Sequence, residues 1–333
     1  IIHPKDDNVV YVAALGSLWG PSEDRGIYQT KDGGKSWKKI LSGENKLTGF
    51  IDLQMDPKNP DVLIASSYQR QRWAYRWESG GPGSAVYRST NGGKSWTKIT
   101  RGVPEGPKGR IGLSYFDANP KVVVASIEHR GEGGIYRSED GGQSFKKVNS
   151  LNPRPFYFSK IRQDPKDENR IYMPGISFHM SSNKGESFRT MPISLHSDYH
   201  ALWINPRDNN HLIVGNDGGV AQSFDRGVSW HQFTNLDIGQ FYAVAVDMRK
   251  PYFVYGGLQD NGSWGGPTQH PMNGGVSFSD WYQVGGGDGF HVQVDPSDWR
   301  VVYSESQGGA IGRLNVQTGA RGFIRPRPAQ GKT

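Results

Sequence analysis

The sequence predicts an all-β chain, a β-propeller of four-stranded blades, and three observations predict it. A short turn phrase returns five times, four strand-like segments recur around its copies, and seven such units can be counted along 333 residues.

The phrase runs as a hydroxylated residue, then Asp or Asn, Gly, Ser and an aromatic. It stands at Thr30 to Trp37, Ser89 to Trp96, Ser138 to Phe145, Ser181 to Phe188 and Ser223 to Trp230. Asp32, Asn91, Asp140, Asn183 and Asp225 hold the acid or amide position. Glycine can take positive φ, the Asp or Asn oxygen can accept backbone N–H bonds inside the turn, and the aromatic folds back onto the sheet. Each copy therefore reads as a hairpin staple, and these five residues as structural, because drift between Asp and Asn is at odds with catalysis. A repeat of roughly 40 to 60 residues built on hairpin chemistry points to a radial or stacked β architecture.

Each unit opens on an alternating strand, passes a Pro/Asn/Asp turn and returns on a β-branched strand. Ile51 to Met55 followed by Val62 to Ala65 is one example, and Phe158 to Asp164 followed by Arg170 to Met173 another. A third strand such as Ala85 to Arg88 enters the phrase, and a fourth such as Trp96 to Ile99 leaves it. Four strands make a propeller blade. The units start near His3, Gly49, Gly109, Tyr157, Tyr199, Gln240 and Gly289, and the last two lack the phrase. The first is expected to lack its innermost strand, because Val9 to Ala13 reads as a second strand. Residues 1–325 are thus expected to form the propeller, with seven blades, and 326–333 a Pro-rich connection to a further part of the polypeptide. A ten-bladed ring or one half of a double propeller are the alternatives.

The phrase resembles the Asp-box, or BNR, repeat. Further strings carry the resemblance across nearly the whole chain: Gly16 to Pro21, His196 to Trp203, Gly215 to Gly219, Gly257 to Trp264 and Gly285 to Gly289. The chain is similar to bacterial sortilin-like (VPS10-type) proteins of the "glycosyl hydrolase" label, and more distantly to two-propeller xyloglucanases and sialidases. That resemblance implies further propeller repeats beyond Thr333. It supplies no mapped site, since fold alone does not fix function.

Composition suits an extracytoplasmic protein, whether periplasmic, secreted or on the cell surface. The chain has 45 Gly, 10 Trp, 15 Tyr and 14 Phe, and no apolar run long enough to cross a bilayer. Its lack of cysteine excludes disulfides and thiol chemistry without deciding the compartment. The net charge of +7 is mostly a solvated turn face, and no recognised nucleic-acid-binding motif accompanies it. No cofactor is called for.

If the Asn-Pro turns and the recurring phrases share one face of a propeller, the remaining connections share the other. That other face collects the unusual residues. Trp19, Arg70, Arg72, Trp73, Tyr75, Trp77, His129, Asn216, Gln259, Asn261 and Trp264 are its candidate ligand-binding residues. Aromatic rings beside Arg, Asn and Gln can stack on sugars and hydrogen-bond their hydroxyls, and the same mixture suits a peptide. Packing of long loops is the competing reading. Trp203, Trp281 and Trp299, in or beside strands, are expected in the core.

Asp217, Asp260 and Asp288 are the candidate catalytic carboxylates, the first two from equivalent loops of adjacent units and Asp288 from the connection one step later. An inverting glycosidase needs one protonated and one ionised carboxyl with room for a water between them. Asp-Gly-Gly and Asp-Asn-Gly are also ordinary turn sequences. His196, Asp198 and His200 alternate and are candidate metal ligands, since alternate residues of a strand share a face. The arginines available for a sialidase triad crowd into three loops, with no spacing that singles one out. The leading expectation is a non-catalytic binding or scaffold propeller that recognises a peptide, protein partner or glycan. The alternative is a glycoside hydrolase acting on a polysaccharide through paired aspartates.

Overall fold

The recurring turns fold as their residue types dictate. In the first, Thr30 Oγ1 donates to Asp32 Oδ1 (2.7 Å) and accepts the Gly34 N–H (2.9 Å). Asp32 in turn accepts the backbone N–H of Ser36 (2.9 Å) and its hydroxyl (2.5 Å). Gly33 and Gly34 both take the left-handed region, at φ 69° and 89°. Where Asn91 replaces Asp, its amide donates to Ser95 Oγ (2.8 Å) while its oxygen still accepts the Ser95 N–H (2.9 Å). The Trp copies add a bond, with the indoles of Trp37, Trp96 and Trp230 donating to the carbonyls of Gly34, Gly93 and Gly227.

These staples join the third and fourth strands of an all-β propeller fold. The computed structural model describes residues 1–236, 238–270 and 274–326, and the last seven residues of the expected connection lie outside it. The described residues form seven antiparallel sheets, each with a meander of four strands in chain order. They contain no α-helix, only two short 3-10 turns at Phe278–Asp280 and Gln307–Gly309.

The chain divides into two units. The first, Ile1–Asn216 with Val220–His231, carries five sheets. Its cores are filled by alternate side chains such as Ile64, Leu113, Val123 and Phe145, and further on Tyr172, Phe178, Leu212 and Val214. The second unit, Asp217–Gly219 with the residues from Gln232, packs Tyr255, Val284, Val292, Val302 and Leu314.

Four details differ from the sequence reading. Ile2–His3 pairs with Asp6–Ala14, so the first sheet does have a first strand, of two residues. The strand expected over Phe158 to Asp164 shrinks to Arg162–Gln163, because Ser159 takes φ 42° and its hydroxyl turns back to the Pro155 carbonyl (2.7 Å). The long insertion after Tyr68 builds its own hairpin: Leu63–Arg72 extends past its sheet and pairs with Trp77–Ser79. Trp203 and Trp299, expected in the core, are 48% and 40% exposed. Trp203 meets only the edge of the His211 ring, and Trp299 lies 4.2 Å from the Arg249 guanidinium.

Hydrogen bonds within the turn hold Asp32, Asp140 and Asp225 at about 2, below the ordinary 3.8, although partial burial opposes this at Asp140. A depressed carboxyl contributes stability that is present above its unfolded pKa and lost as pH falls through its folded one. That share is therefore lost between about pH 4 and about pH 2. Asp140→Asn is expected to flatten the fall of the urea midpoint over that window while leaving it nearly unchanged at pH 7. Asp140→Ala is expected to lower the midpoint at pH 7 as well.

Candidate functional site

In the first unit the loops opposite the turns carry an aromatic and basic surface. The hairpin of the insertion closes through the Trp73 N–H on the Arg76 carbonyl (2.7 Å), which leaves Tyr75 at the tip, 81% exposed. Arg76 stands 4.3 Å from the centre of the Trp73 ring, and Arg72 5.7 Å from that of Trp19. The backbone N–H of Arg72 bonds the Leu18 carbonyl (2.9 Å), so the loop of the first sheet is tied to the hairpin of the second. Trp77 meets Phe156 edge-on at 4.4 Å, and Arg154 covers the Tyr157 ring at 4.8 Å. Arg70 lies 5.5 Å from the centre of the Tyr68 ring.

The structure thus brings Trp19, Arg72, Trp73, Tyr75 and Trp77 to one connected surface, with Arg70 beneath. His129 is a turn acceptor: its Nδ1 takes the N–H groups of Gly131 and Glu132. Asn216 donates to the His196 carbonyl (2.8 Å). The expected metal set does not assemble. Asp198 takes φ 63°, the strand begins only at Tyr199, and His200 stacks on Phe158 at 5.0 Å, so strand alternation does not align the three side chains. Among the described residues no group of His, Cys, Asp or Glu is placed to hold a metal ion.

In the second unit the three candidate carboxylates do meet. Asp260 sits at φ 62° between strands Phe253–Leu258 and Gly262–Pro267, and its N–H donates to Asp288 Oδ1 (2.7 Å). Asp288 Oδ2 accepts the Gln307 amide (2.7 Å). Asn261 donates to the carbonyls of Asp217 (2.8 Å) and Gln259 (2.9 Å). Two backbone bonds, Gly262 N–H to Gly287 and Gly289 N–H to Leu258, dock the following loop on this hairpin at 2.9 Å each. That approach requires glycine: a Cβ on Gly257 would stand 2.2 Å from the Gly289 carbonyl carbon, and one on Gly289 2.3 Å from the Gly262 oxygen.

The Asp260 carboxyl is held above its ordinary value. Desolvation is the first cause, followed by the charges of Asp217 and Asp288 and by carboxyl-to-carboxyl hydrogen bonds with both. The Tyr242 hydroxyl is pushed up by desolvation and by the charges of Asp288 and Asp260. The trio is one coupled group of carboxyls. Its members are in hydrogen-bond contact, unlike an inverting pair, whose carboxyls stand ~6.5–9.5 Å apart. Trp264, read as a platform residue, is a turn group: its indole donates to the Asn261 carbonyl (2.6 Å) and its ring leans on Phe278.

Comparison with known proteins places these features. No family model matches the chain. A xyloglucanase from Paenibacillus sp is 26% identical over 199 residues, covering 49% of this chain and 19% of that protein. An oligoxyloglucan-reducing end-specific xyloglucanase from Emericella nidulans is 25% identical over 255 residues, 65% of this chain and 30% of that one. The chain is similar to xyloglucanases. It spans about a fifth to a third of the length of these relatives. Among solved structures, an ancestral GH74 enzyme superposes with a TM-score of 0.50 at 16% identity, over 96% of this chain and 45% of its own, which shows the shared fold.

Sequence reasoning missed the basic residues Arg110, Lys160 and Arg162 of the first unit. Their signal was available in Lys160 and Arg162, alternate basic residues at the start of a predicted inner strand. Removing one neighbouring charge tests the carboxylate trio: Asp217→Asn is expected to bring the pKa of Asp260 down toward its ordinary value, read by carbon-detected NMR titration of the side-chain carboxyls.

Proposed function

We propose that this chain is part of a glycoside hydrolase acting on a polysaccharide, with Asp260 as the proton donor. The observation that carries the reading is the desolvated position of Asp260 between two further carboxyls, with its pKa raised. A carboxyl that holds its proton can deliver it to a departing glycosidic oxygen. Asp217 and Asp288 act by retaining that proton, and Gln307 and the Asp260 N–H orient Asp288. For an inverting reaction the base is a carboxylate on the far side of the sugar, beyond the trio. The similarity to xyloglucanases supports a branched β-glucan as the substrate class, and the exposed rings of Trp19 and Tyr75 suit stacking on sugars. A polysaccharide substrate would place the protein outside the cytoplasm. Among the described residues no helix is long and apolar enough to cross a membrane.

The binding-propeller reading, for a glycan or a peptide, draws on the same geometry. Both oxygens of Asp288 are occupied by turn partners, as expected of carboxylates that shape a loop. Hydrolysis of xyloglucan and a polysaccharide panel by the complete protein separates the two readings. Asp260→Asn is expected to lower kcat by ~10²–10⁴, with retention on polysaccharide affinity gels unchanged. Full turnover in Asp260→Asn would overturn the assignment, and retention without turnover by the parent would leave a binding propeller.

A further inference from the structure

Beneath the aromatic surface of the first unit, four basic side chains converge. Arg70 lies two residues before the end of the strand Leu63–Arg72, Arg110 precedes the strand Ile111–Tyr115, and Lys160 and Arg162 lie at the start of the fourth sheet; the strand Ile111–Tyr115 packs against both of the others. Arg110 is close enough to Arg70 to feel its charge, and Lys160 feels both Arg110 and Arg162. All four are only partly exposed. Like charges gathered in a half-buried place are unfavourable unless something neutralises them.

Two acids lie nearby, Asp52 and Glu128, and their charges offset part of this crowding. Asp52 Oδ2 accepts the Leu113 N–H (2.9 Å), and its Oδ1 accepts the Leu53 N–H (2.9 Å) and the Gln54 amide (2.8 Å). Glu128 accepts the backbone N–H of Arg110 (2.8 Å) and the Ser79 hydroxyl. None of the four basic groups forms an ion pair among the described residues. Arg110 donates to the Tyr157 carbonyl and Arg162 to that of Ile161 (2.8 Å), neither a charged acceptor. The Arg70 Nε is buried without a hydrogen-bond partner. Desolvation, reinforced by like charges, pulls Arg110 and Lys160 below their ordinary values, although the acids nearby oppose it. An oxyanion from outside the chain would relieve this arrangement, since guanidinium and ammonium groups grip carboxylates with charge-assisted hydrogen bonds.

The surroundings narrow the ligand. Tyr157, whose carbonyl takes the Arg110 bond, exposes 43% of its surface beside Phe156, Trp77 and Arg154. Rings beside fixed cations suit a sugar that carries an acid group.

We propose that Arg70, Arg110, Lys160 and Arg162 bind the carboxylate of an acidic sugar, so that the first unit takes a uronate-bearing polysaccharide. This rests on the polysaccharide reading but replaces the neutral branched β-glucan named there with an acidic polysaccharide, and it involves none of the three aspartates.

The test is calorimetric titration of the complete protein at low ionic strength with sodium glucuronate, glucose and inorganic sulfate. Affinity gels with polygalacturonate, dextran sulfate and neutral xyloglucan run beside it. Glucuronate is expected to bind where glucose does not, and Lys160→Gln and Arg110→Gln each to weaken it at least tenfold. Because each substitution removes a crowded like charge, the ligand-free melting temperature of Lys160→Gln is expected to hold or rise. That separates lost binding from lost folding, and Arg162→Gln serves as a second variant should Arg110→Gln fail to fold. Equal affinity for glucose and glucuronate, or unchanged affinity in Lys160→Gln, overturns the proposal. Retention on dextran sulfate but not polygalacturonate assigns the cluster to sulfate esters, and tighter binding of poly-glutamate than of polygalacturonate assigns it to acidic peptides; either overturns the uronate. Glucuronate binding that depends on Lys160, in a protein that hydrolyses no polysaccharide, would sustain this site while the hydrolase reading falls.

Discussion

The bond on which the rest of this structure depends is the one between a short polar side chain and the backbone of its own turn. In each recurring phrase a hydroxyl and an Asp or Asn oxygen satisfy the N–H groups that the tight reversal leaves open. Backbone donors without partners are costly, so the side chain decides whether the third and fourth strands close into a hairpin at that point. With the turn fixed there, side chains of alternating strands are committed to the core and the remaining connections to the other end of the sheet. Those connections are free of the turn's geometric demands. The long aromatic hairpin from Tyr68 to Ser79 occupies one of them without disturbing its sheet.

A second constraint, the absence of side chains, builds the carboxylate trio. Glycines 257, 262 and 289 let the loop before the seventh sheet lie against the hairpin of the sixth. The contact sets the Asp260 N–H on Asp288, and with it one carboxyl close to another. Desolvation first, then the charges of Asp217 and Asp288 and hydrogen bonds to both, hold Asp260 above its ordinary value. The same loop geometry that makes a turn therefore also raises one carboxyl among three.

The fold was legible because its signals are local and repeated. Five copies of one phrase fixed the reversal points, and the β-branched segments between them fixed the strands. The strand at Phe158 was misjudged because nothing local announces the positive φ of Ser159, which the tertiary packing of Phe158 against His200 accompanies. The carboxylate trio was legible in part. Equivalent loop positions point to Asp217 and Asp260, and the next connection to Asp288, but their hydrogen-bond contact follows from glycine-permitted loop docking, which spacing does not encode. His196, Asp198 and His200 failed for the converse reason: alternation in sequence aligns side chains only where the backbone is extended, and at Asp198 it is not.

The basic cluster was hardest to read, since its members come from three sheets and each alone looks like an ordinary surface charge. What distinguishes them is an imbalance of partners. Arg137, also buried, is met by Glu139 and Glu168, and Arg249 by Asp247 at 2.6 Å. Those cations meet their counter-charges within the chain. Arg110 and Lys160 have two acids nearby, Asp52 and Glu128, that form no ion pair with them among the described residues. A carboxylate that accepts a backbone N–H keeps its charge, so these two offset part of the positive field while they shape their strands. Four cations outnumber two acids, and the excess is what the proposed anion would meet.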